Sequence, residues 1–175
     1  LRCSRRTRHA AGQEYSVNLQ IDIQNASGES APDEEDIRGW ISTVLSGRRS
    51  ADTEISVRLV DIEEMTKLNQ GYRNKPGPTN VLSFPSDLPP ELDLPLLGDI
   101  VICAPLVCDE AKSQQKILQA HWAHMTVHGT LHLLGYDHIE EDEALAMEAL
   151  ETEILTSLNY PCPYQGEQSK EHADA

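Results

Sequence analysis

The run HGTLHLLGYDH, from His128 to His138, decides most of what the sequence indicates, because it spaces three histidines as a metal site requires. On a helix, His128 and His132 lie one turn apart on the same face, so their imidazoles can bind one cation. Gly135 stands where such a helix would end, since glycine enters the left-handed backbone conformation without a Cβ clash. The chain can then fold back and bring His138 to the same cation.

Three imidazole ligands leave the fourth position of a tetrahedral metal ion open to water. Zinc in such an open site lowers the pKa of its bound water to about 7, so the pattern predicts a hydrolase rather than a purely structural site. All-imidazole ligation favours zinc, although nickel and copper also suit imidazole. The simpler alternative is that the three histidines lie on a helix surface or in the core and bind no metal.

Metzincin proteases share this histidine spacing, but they need a glutamate general base directly after the first histidine. Gly129 occupies that position, so a peptidase would need another proton acceptor and a metalloprotease is the least favoured hydrolase.

Two further histidines precede the run. His121 would lie about 16 Å along the helix axis from His132, too far to bind the same ion. We expect His124 either to contact a metal ligand without binding the metal itself or to pack in the core.

Hydrophobic periodicity along the rest of the chain predicts an α+β domain. Alternating apolar residues predict strands at 17–24, 55–59, 81–84 and 99–103. Helical spacing predicts helices at 37–45, 61–71, 105–115, from 118 onward and at 147–158, with Gly71 ending the second. The result is a single domain with a roughly four-stranded mixed sheet and about five helices, and with the metal site on one helix and the turn after it. The acidic face of the last helix is expected to be solvated.

Composition predicts the limits of this domain. We expect a flexible basic extension at 1–14, a single metal-dependent hydrolase domain at 15–164 and a disordered polar tail at 165–175. No stretch is apolar enough to span a membrane, and the arginine-rich start lacks the apolar segment of a secretory signal. The 4 cysteines form no C-x2-C pair, which is typical of a reducing compartment. We therefore expect a cytoplasmic protein with no membrane partner.

Three more blocks precede the histidine run, namely LNQGYR at 68–73, TNVLSFP at 79–85 and LGDIVI at 97–102. Together and in this order, the four blocks resemble the bacterial YbeY family over about residues 17–164. The resemblance implies a metal-dependent, single-strand-selective endoribonuclease that acts in maturation of the small-subunit ribosomal RNA 3′ end and in ribosome quality control. It implies RNA rather than DNA as substrate, and the ribosome or a small-subunit ribosomal protein as partner.

By the same resemblance, His128, His132 and His138 match the family's metal ligands, and Arg73 matches a basic residue important for activity. His128 and Arg73 are therefore the candidate catalytic residues. A guanidinium beside an open zinc site can bind phosphate oxygens bidentately and neutralise the charge that grows during phosphoryl transfer. Without the resemblance, Arg73 would be interpreted as a solvated arginine just beyond a helix end.

A metal-ligating histidine usually donates its second ring N–H to a carboxylate, a carbonyl or water. Asn80 stands where many relatives are expected to carry aspartate, so it offers no carboxylate for this purpose. Asp99 and Asp137 are then the candidates for orienting a ligand histidine.

The net charge of -15 at pH 7 argues against general affinity for nucleic acid, because such affinity needs clustered lysine and arginine. An RNA substrate would have to be held by a local patch, centred on Arg73 and Lys75 with Arg48, Arg49 or Arg58 as additions. Few phosphate contacts predict weak intrinsic binding, so we expect the ribosome or a protein on it to supply much of the localisation. The alternative function is a ribosome-associated assembly or binding factor whose metal is mainly structural.

Overall fold

In the computed structural model, which describes residues 18–92 and 94–164, four strands form one mixed sheet in the order β1-β2-β4-β3. The strands are β1 (Leu19–Asn25), β2 (Thr53–Val60), β3 (Val81–Pro85) and β4 (Leu96–Cys103). The first, second and fourth run parallel, and β3 pairs antiparallel with β4 at the sheet edge. The helices are α1 (Glu34–Leu45), α2 (Ile62–Arg73), α3 (Ala104–Ser113), α4 (Leu118–Leu133) and α5 (Glu141–Ser157).

The predicted α+β class, with its four-stranded mixed sheet and five helices, is thus confirmed for the described part of the chain. The basic extension predicted at 1–14 and the tail predicted at 165–175 lie outside the described residues. Within 18–92 and 94–164, no helix is both long enough and apolar enough to cross a lipid bilayer.

The sheet has two unequal faces because successive side chains of a strand point to opposite sides. Along β2, Ile55, Val57 and Leu59 are buried, whereas Ser56 and Arg58 between them are only partly covered. The first set belongs to the main core, where α1 and α4 pack on the sheet and α5 packs against α4. On the second face, α2 covers a smaller apolar cluster and leaves part of the sheet open.

Helix α4 is the centre of the main core, with buried residues on almost every side from His121 to Leu133. Its approach to the sheet depends on Gly129. A Cβ there would lie 2.9 Å from Ile100 Cγ2 and 3.2 Å from Val81 Cγ2, and the Ser83 hydroxyl donates to the Gly129 carbonyl at 2.8 Å. A residue without a side chain therefore allows α4 to lie directly on β3 and β4.

Helix α2 begins as predicted but ends later. The Asp61 carboxylate accepts from the Glu64 N–H at 2.8 Å and so caps the first turn. The predicted end at Gly71 is wrong, because the helix continues to Arg73 and the left-handed residue is Asn74, with φ of 55°. Asparagine tolerates this conformation. The two extra residues place Arg73 on the last turn of the helix.

Strand β4 begins earlier than the predicted residue 99. It starts at Leu96, opposite Glu54 of β2, and an irregular register follows. Gly98 interrupts the sequence pattern at the start of this strand, so the strand could not be predicted from residue 96. Glycine is needed there because its φ is 152° and a Cβ would lie 2.4 Å from the Phe84 carbonyl oxygen. Between β3 and β4, the described residues are irregular apart from one 3-10 turn at Pro90–Leu92, as the prolines predict.

Candidate metal centre

The three histidines of the run converge where α4 ends. The ring centroids of His128 and His132 are 4.5 Å apart, and that of His138 lies 5.4 Å from the first and 4.9 Å from the second. One nitrogen from each ring lies within 4.8 Å of the other two. The structure therefore brings together the ligand set predicted from the spacing.

The turn at Gly135 brings His138 to the helix. Gly135 has φ of 101°, its N–H donates to the His132 carbonyl at 3.0 Å, and the Tyr136 N–H donates to the Leu131 carbonyl at 3.1 Å. A Cβ at Gly135 would meet no atom within 4 Å, so it is the backbone conformation, not lack of space, that requires glycine. This part of the prediction is confirmed.

Hydrogen bonds at the outer nitrogens determine which ring atoms face inward. The Nδ1–H of His132 donates to the Tyr136 carbonyl at 2.9 Å, and the Nδ1–H of His128 donates to the Glu151 carboxylate. A carbonyl and an ionised carboxylate can only accept, so each Nδ1 carries a proton, which in the neutral form of the ring is its only one. Both Nε2 atoms are then left with lone pairs, and they face each other at 3.0 Å.

Two facing lone pairs at this distance repel each other unless a cation lies beside them. Two nitrogens about 2.05 Å from one tetrahedral ion would be roughly 3.3 Å apart, close to the separation observed. Burial lowers the pKa of His132, which favours the neutral form that can bind a metal. The three imidazoles therefore fit a divalent ion.

Glu151, on α5, is the functional residue that sequence reasoning missed. Its side chain is 0% exposed, and besides the His128 N–H it accepts from His124 Nε2 at 2.9 Å and from the Tyr164 hydroxyl. Burial, the largest single influence, would raise the pKa of Glu151, but the hydrogen bonds from His124 and His128 outweigh it and hold the pKa at about 2. An ionised carboxylate thus fixes the orientation of His128 from the protein interior.

A signal for Glu151 exists in the sequence. The buried stripe of α5 contains Met147, Ile154 and Leu155, and Glu151 lies one turn after the first of these and one turn before the last. A carboxylate inside an apolar stripe is costly unless it is paired. Its position within the stripe therefore marks it apart from the solvated acidic residues at the start of the same helix.

The two earlier histidines of α4 are buried and do not join the three-histidine set. His124 contacts Glu151, as described above, and burial lowers its pKa, which favours a neutral ring that donates to the carboxylate. His121 Nε2 lies 3.0 Å from Glu110 Oε1, and Asn80 Nδ2 donates to the same carboxylate at 3.2 Å. The expected supporting role of His124 and the exclusion of His121 agree with this geometry.

Arg73 lies at the rim of the cavity that contains the three histidines. This cavity has a volume of about 520 Å³, and β3 and the turn after α4 form its other walls. A guanidinium here can reach a phosphate group that enters the cavity. The structure thus places Arg73 and the histidines around one space.

Other predicted contributors lie elsewhere. Asp99 alternates with Ile100 along β4 and points to the sheet face opposite α4, so the expectation that it orients a ligand histidine is wrong. Asp137 is closer, with Oδ1 3.5 Å from Nδ1 of His138 and 2.7 Å from its backbone nitrogen. The carboxylate that orients His128 is Glu151, which comes from a distant part of the chain.

The predicted basic patch is also smaller than expected. The Arg58 guanidinium binds the Glu64 carboxylate at 2.6 and 2.9 Å. Arg48 donates to the Val44 carbonyl at 3.1 Å, and Arg49 donates to the Thr53 hydroxyl at 2.6 Å, near the start of β2. None of the three lines the metal cavity, where Arg73 is the charged residue best placed to meet a phosphate.

The position after His128 explains why a metzincin mechanism does not suit the site. Gly129 faces β3 and β4, not the metal cavity. A glutamate at this position would collide with the sheet and could not act as the general base that those proteases need.

Comparisons with known proteins agree on one family. A model of the family described as Endoribonuclease YbeY matches residues 22–159. A Cellvibrio japonicus protein named Endoribonuclease YbeY is 56% identical over 146 residues, covering 83% of this chain and 82% of that protein. A Pseudomonas putida protein of the same name is 55% identical over 152 residues, covering 86% and 96%.

The fold has a counterpart among solved structures. The solution structure of TM1509 from Thermotoga maritima matches with a TM-score of 0.53 at 24% identity, covering 85% of this chain and 95% of that one. At this identity the likeness concerns the fold alone.

Proposed function

This chain belongs to the YbeY endoribonuclease family, and we propose that it cleaves single-stranded RNA with a divalent metal ion bound to His128, His132 and His138. Membership of the family makes the chain an endoribonuclease, a hydrolase that acts on RNA phosphodiester bonds. The metal, the class of RNA and the partner are the proposed additions.

The observation that carries the metal proposal is the pair of Nε2 atoms at 3.0 Å. The Nδ1 atoms of His128 and His132 are both occupied by acceptors, so neither ring can turn its proton inward without losing a hydrogen bond. His138 adds a third nitrogen from the turn after α4. We propose zinc because three imidazoles suit it, with nickel and copper as other metals able to bind in vitro.

Each residue around the cavity has a separate task in this proposal. A bound divalent ion supplies Lewis acidity, which polarises a phosphate oxygen or activates a water molecule. Arg73 binds the scissile phosphate and neutralises the charge that grows on it. Glu151 holds the His128 ring with Nε2 directed into the cavity, and the Tyr136 carbonyl does the same for His132. Product ends identify the nucleophile, since attack by the RNA 2′-hydroxyl leaves a 2′,3′-cyclic phosphate.

The substrate proposed is ribosomal RNA, specifically the 3′ end of the small-subunit RNA, with the ribosome or a small-subunit ribosomal protein as partner. The net charge of -15 and the pairing of Arg58 with Glu64 leave few cations for phosphate binding. The partner would supply the localisation that the protein surface lacks, and its action would be cytoplasmic. Cleavage of free RNA should then fall more steeply between 50 and 200 mM salt than cleavage of ribosome-bound RNA. Equal salt sensitivity of the two cleavage reactions would contradict the proposal that a partner supplies the localisation.

The central test is cleavage of a labelled single-stranded RNA by wild type, His138→Ala and Arg73→Ala, with the metal content of each protein measured. His138 suits this purpose because it lies outside the helix and is half exposed, so its loss should leave the fold intact. We expect His138→Ala to lose metal and cleavage together. Arg73→Ala should keep the metal but lose roughly 100-fold or more in kcat.

Arg38→Ala is the matched control, because Arg38 is another exposed arginine, on α1 and 3.7 Å from Glu34. Full metal-dependent cleavage by His138→Ala would refute the assignment of the three histidines as metal ligands. Equal cleavage by all variants would indicate a contaminating nuclease and would favour an assembly factor with a mainly structural metal.

A further inference from the structure

From the open sheet face beyond the metal cavity, we infer a subsite in which the ring of Tyr72 stacks on one unpaired base of the RNA strand. This inference rests on the proposed function, since it assumes that the strand's phosphate lies at the metal cavity. It adds a residue that recognises the substrate but takes no part in bond cleavage.

The subsite lies in a groove of about 1090 Å³ on the sheet face that α2 covers only in part. The groove is large enough for a nucleobase and its ribose. It adjoins the metal cavity, because Arg73, Leu82, Ser83 and Pro85 line both spaces. The two spaces lie on either side of the edge strand β3, and a strand held by Arg73 can place its phosphate on one side and a neighbouring base on the other.

Tyr72 directly precedes Arg73 and lies in this groove. Its side chain is 72% exposed, the most of any tyrosine in the described part of the chain. The ring is held in place because it packs edge to face against Phe84 of β3, with centroids 5.0 Å apart and an interplanar angle of 63°. An aromatic ring supported on one side and open on the other is the arrangement on which single-stranded bases stack.

Away from Arg73, which the groove shares with the metal cavity, the charges in the groove favour a neutral base over a phosphate. Arg58 is already bound to Glu64, and the carboxylates of Asp87 and Asp99 also line the groove. A phosphate there would be repelled, whereas the exocyclic amino group of a base is compatible with nearby carboxylates. The subsite also gives a physical reason for single-strand selectivity, since a paired base cannot leave its stack to reach Tyr72 without an energy cost.

The experiment compares wild type, Tyr72→Leu and Tyr72→Phe on a short single-stranded RNA with one mapped cleavage site. Each nucleotide near that site is replaced in turn by an abasic ribose. We expect Tyr72→Leu to raise KM roughly tenfold with kcat within twofold of wild type, and Tyr72→Phe to behave as wild type. One abasic position should raise KM for wild type by a similar factor and have no further effect on Tyr72→Leu. Leu145→Ala, which truncates an exposed side chain on α5, is the control for loss of surface bulk.

An unchanged KM in Tyr72→Leu would overturn the inference. The inference would also fail if every abasic replacement raised the KM of Tyr72→Leu by the same factor as that of wild type. A Tyr72→Leu protein that cleaves free RNA normally and fails only on ribosomes would likewise overturn it, because the groove would then hold a protein segment. Failure of the proposed function is separate. It would appear as wild-type cleavage that survives metal removal and the His138→Ala substitution, whatever Tyr72 does.

Discussion

Replacing Glu151 by glutamine should weaken metal binding without removing any metal ligand. Three donors converge on the Glu151 carboxylate, from His128, His124 and Tyr164. The amide keeps one accepting oxygen but presents an N–H₂ group where the second oxygen was, so at least one of these partners must rotate or change tautomer. It also removes the negative charge that makes His128 a better ligand.

The size of the effect follows from the position of the carboxylate behind a ligand. Loss of such a partner lowers metal affinity about 10- to 100-fold, which corresponds to roughly 1.4 to 2.7 kcal/mol. The apo protein should also lose about 1 to 3 kcal/mol in the free energy of unfolding, because Glu151 is fully buried and its partners lose a charged acceptor.

Zinc affinity is measured by competition with a chromogenic chelator at neutral pH, and stability by urea unfolding of the metal-free protein. Glu153→Gln is the matched control, since it makes the same change on the same helix at an exposed position. An affinity equal to that of wild type, or an equal loss in Glu153→Gln, would refute the role assigned to Glu151.

Two further predictions concern the scaffold. Gly98→Ala should lower the free energy of unfolding by roughly 3 kcal/mol, because its Cβ would lie 2.4 Å from the Phe84 carbonyl oxygen. Gly39→Ala, in an open part of α1, should instead stabilise by about 1 kcal/mol, and urea unfolding that ranks the two variants otherwise would contradict the packing at β3 and β4. Glu64→Gln should destabilise by at most about 1 kcal/mol at pH 7, since the pair with Arg58 is one-third exposed and screened by solvent. The hydrogen bond from Arg58 lowers the pKa of Glu64 from 4.5. The stabilisation by this pair is therefore present above pH 4.5 and is lost as the pH falls through the lowered pKa. A stability difference between variant and wild type that grows in acid would contradict this direction of the pKa shift.

The sequence was most informative where a short segment determines its own geometry. His128 and His132 are related by helical periodicity, and Gly135 is required by a local backbone conformation. Both could therefore be predicted without knowledge of the rest of the fold. The alternation of Ile55, Val57 and Leu59 predicted strand β2 for the same reason, because a strand's periodicity is local.

Long-range partners were beyond this kind of reasoning. Glu151 reaches His128 only because α5 packs against α4, and helix packing has no short-range signature. Asp99 was a candidate because Asn80 offers no carboxylate, yet one step along β4 reverses the face on which a side chain lies. Helix α2 ran past Gly71 because a glycine permits a helix end without enforcing one, and Asn74 supplied the left-handed residue instead.

The close packing of α4 on the sheet also restricts where this protein can accept insertions and deletions. Gly129 must face Ile100 and Val81, while His128 beside it must face the cavity. Inserting or deleting one residue in α4 would rotate everything beyond it by about 100°, driving a side chain into the sheet and carrying the ligands away from the turn. The irregular segment between β3 and β4 has no such double constraint, so changes in chain length are far easier to accommodate there than in the helix that holds the site.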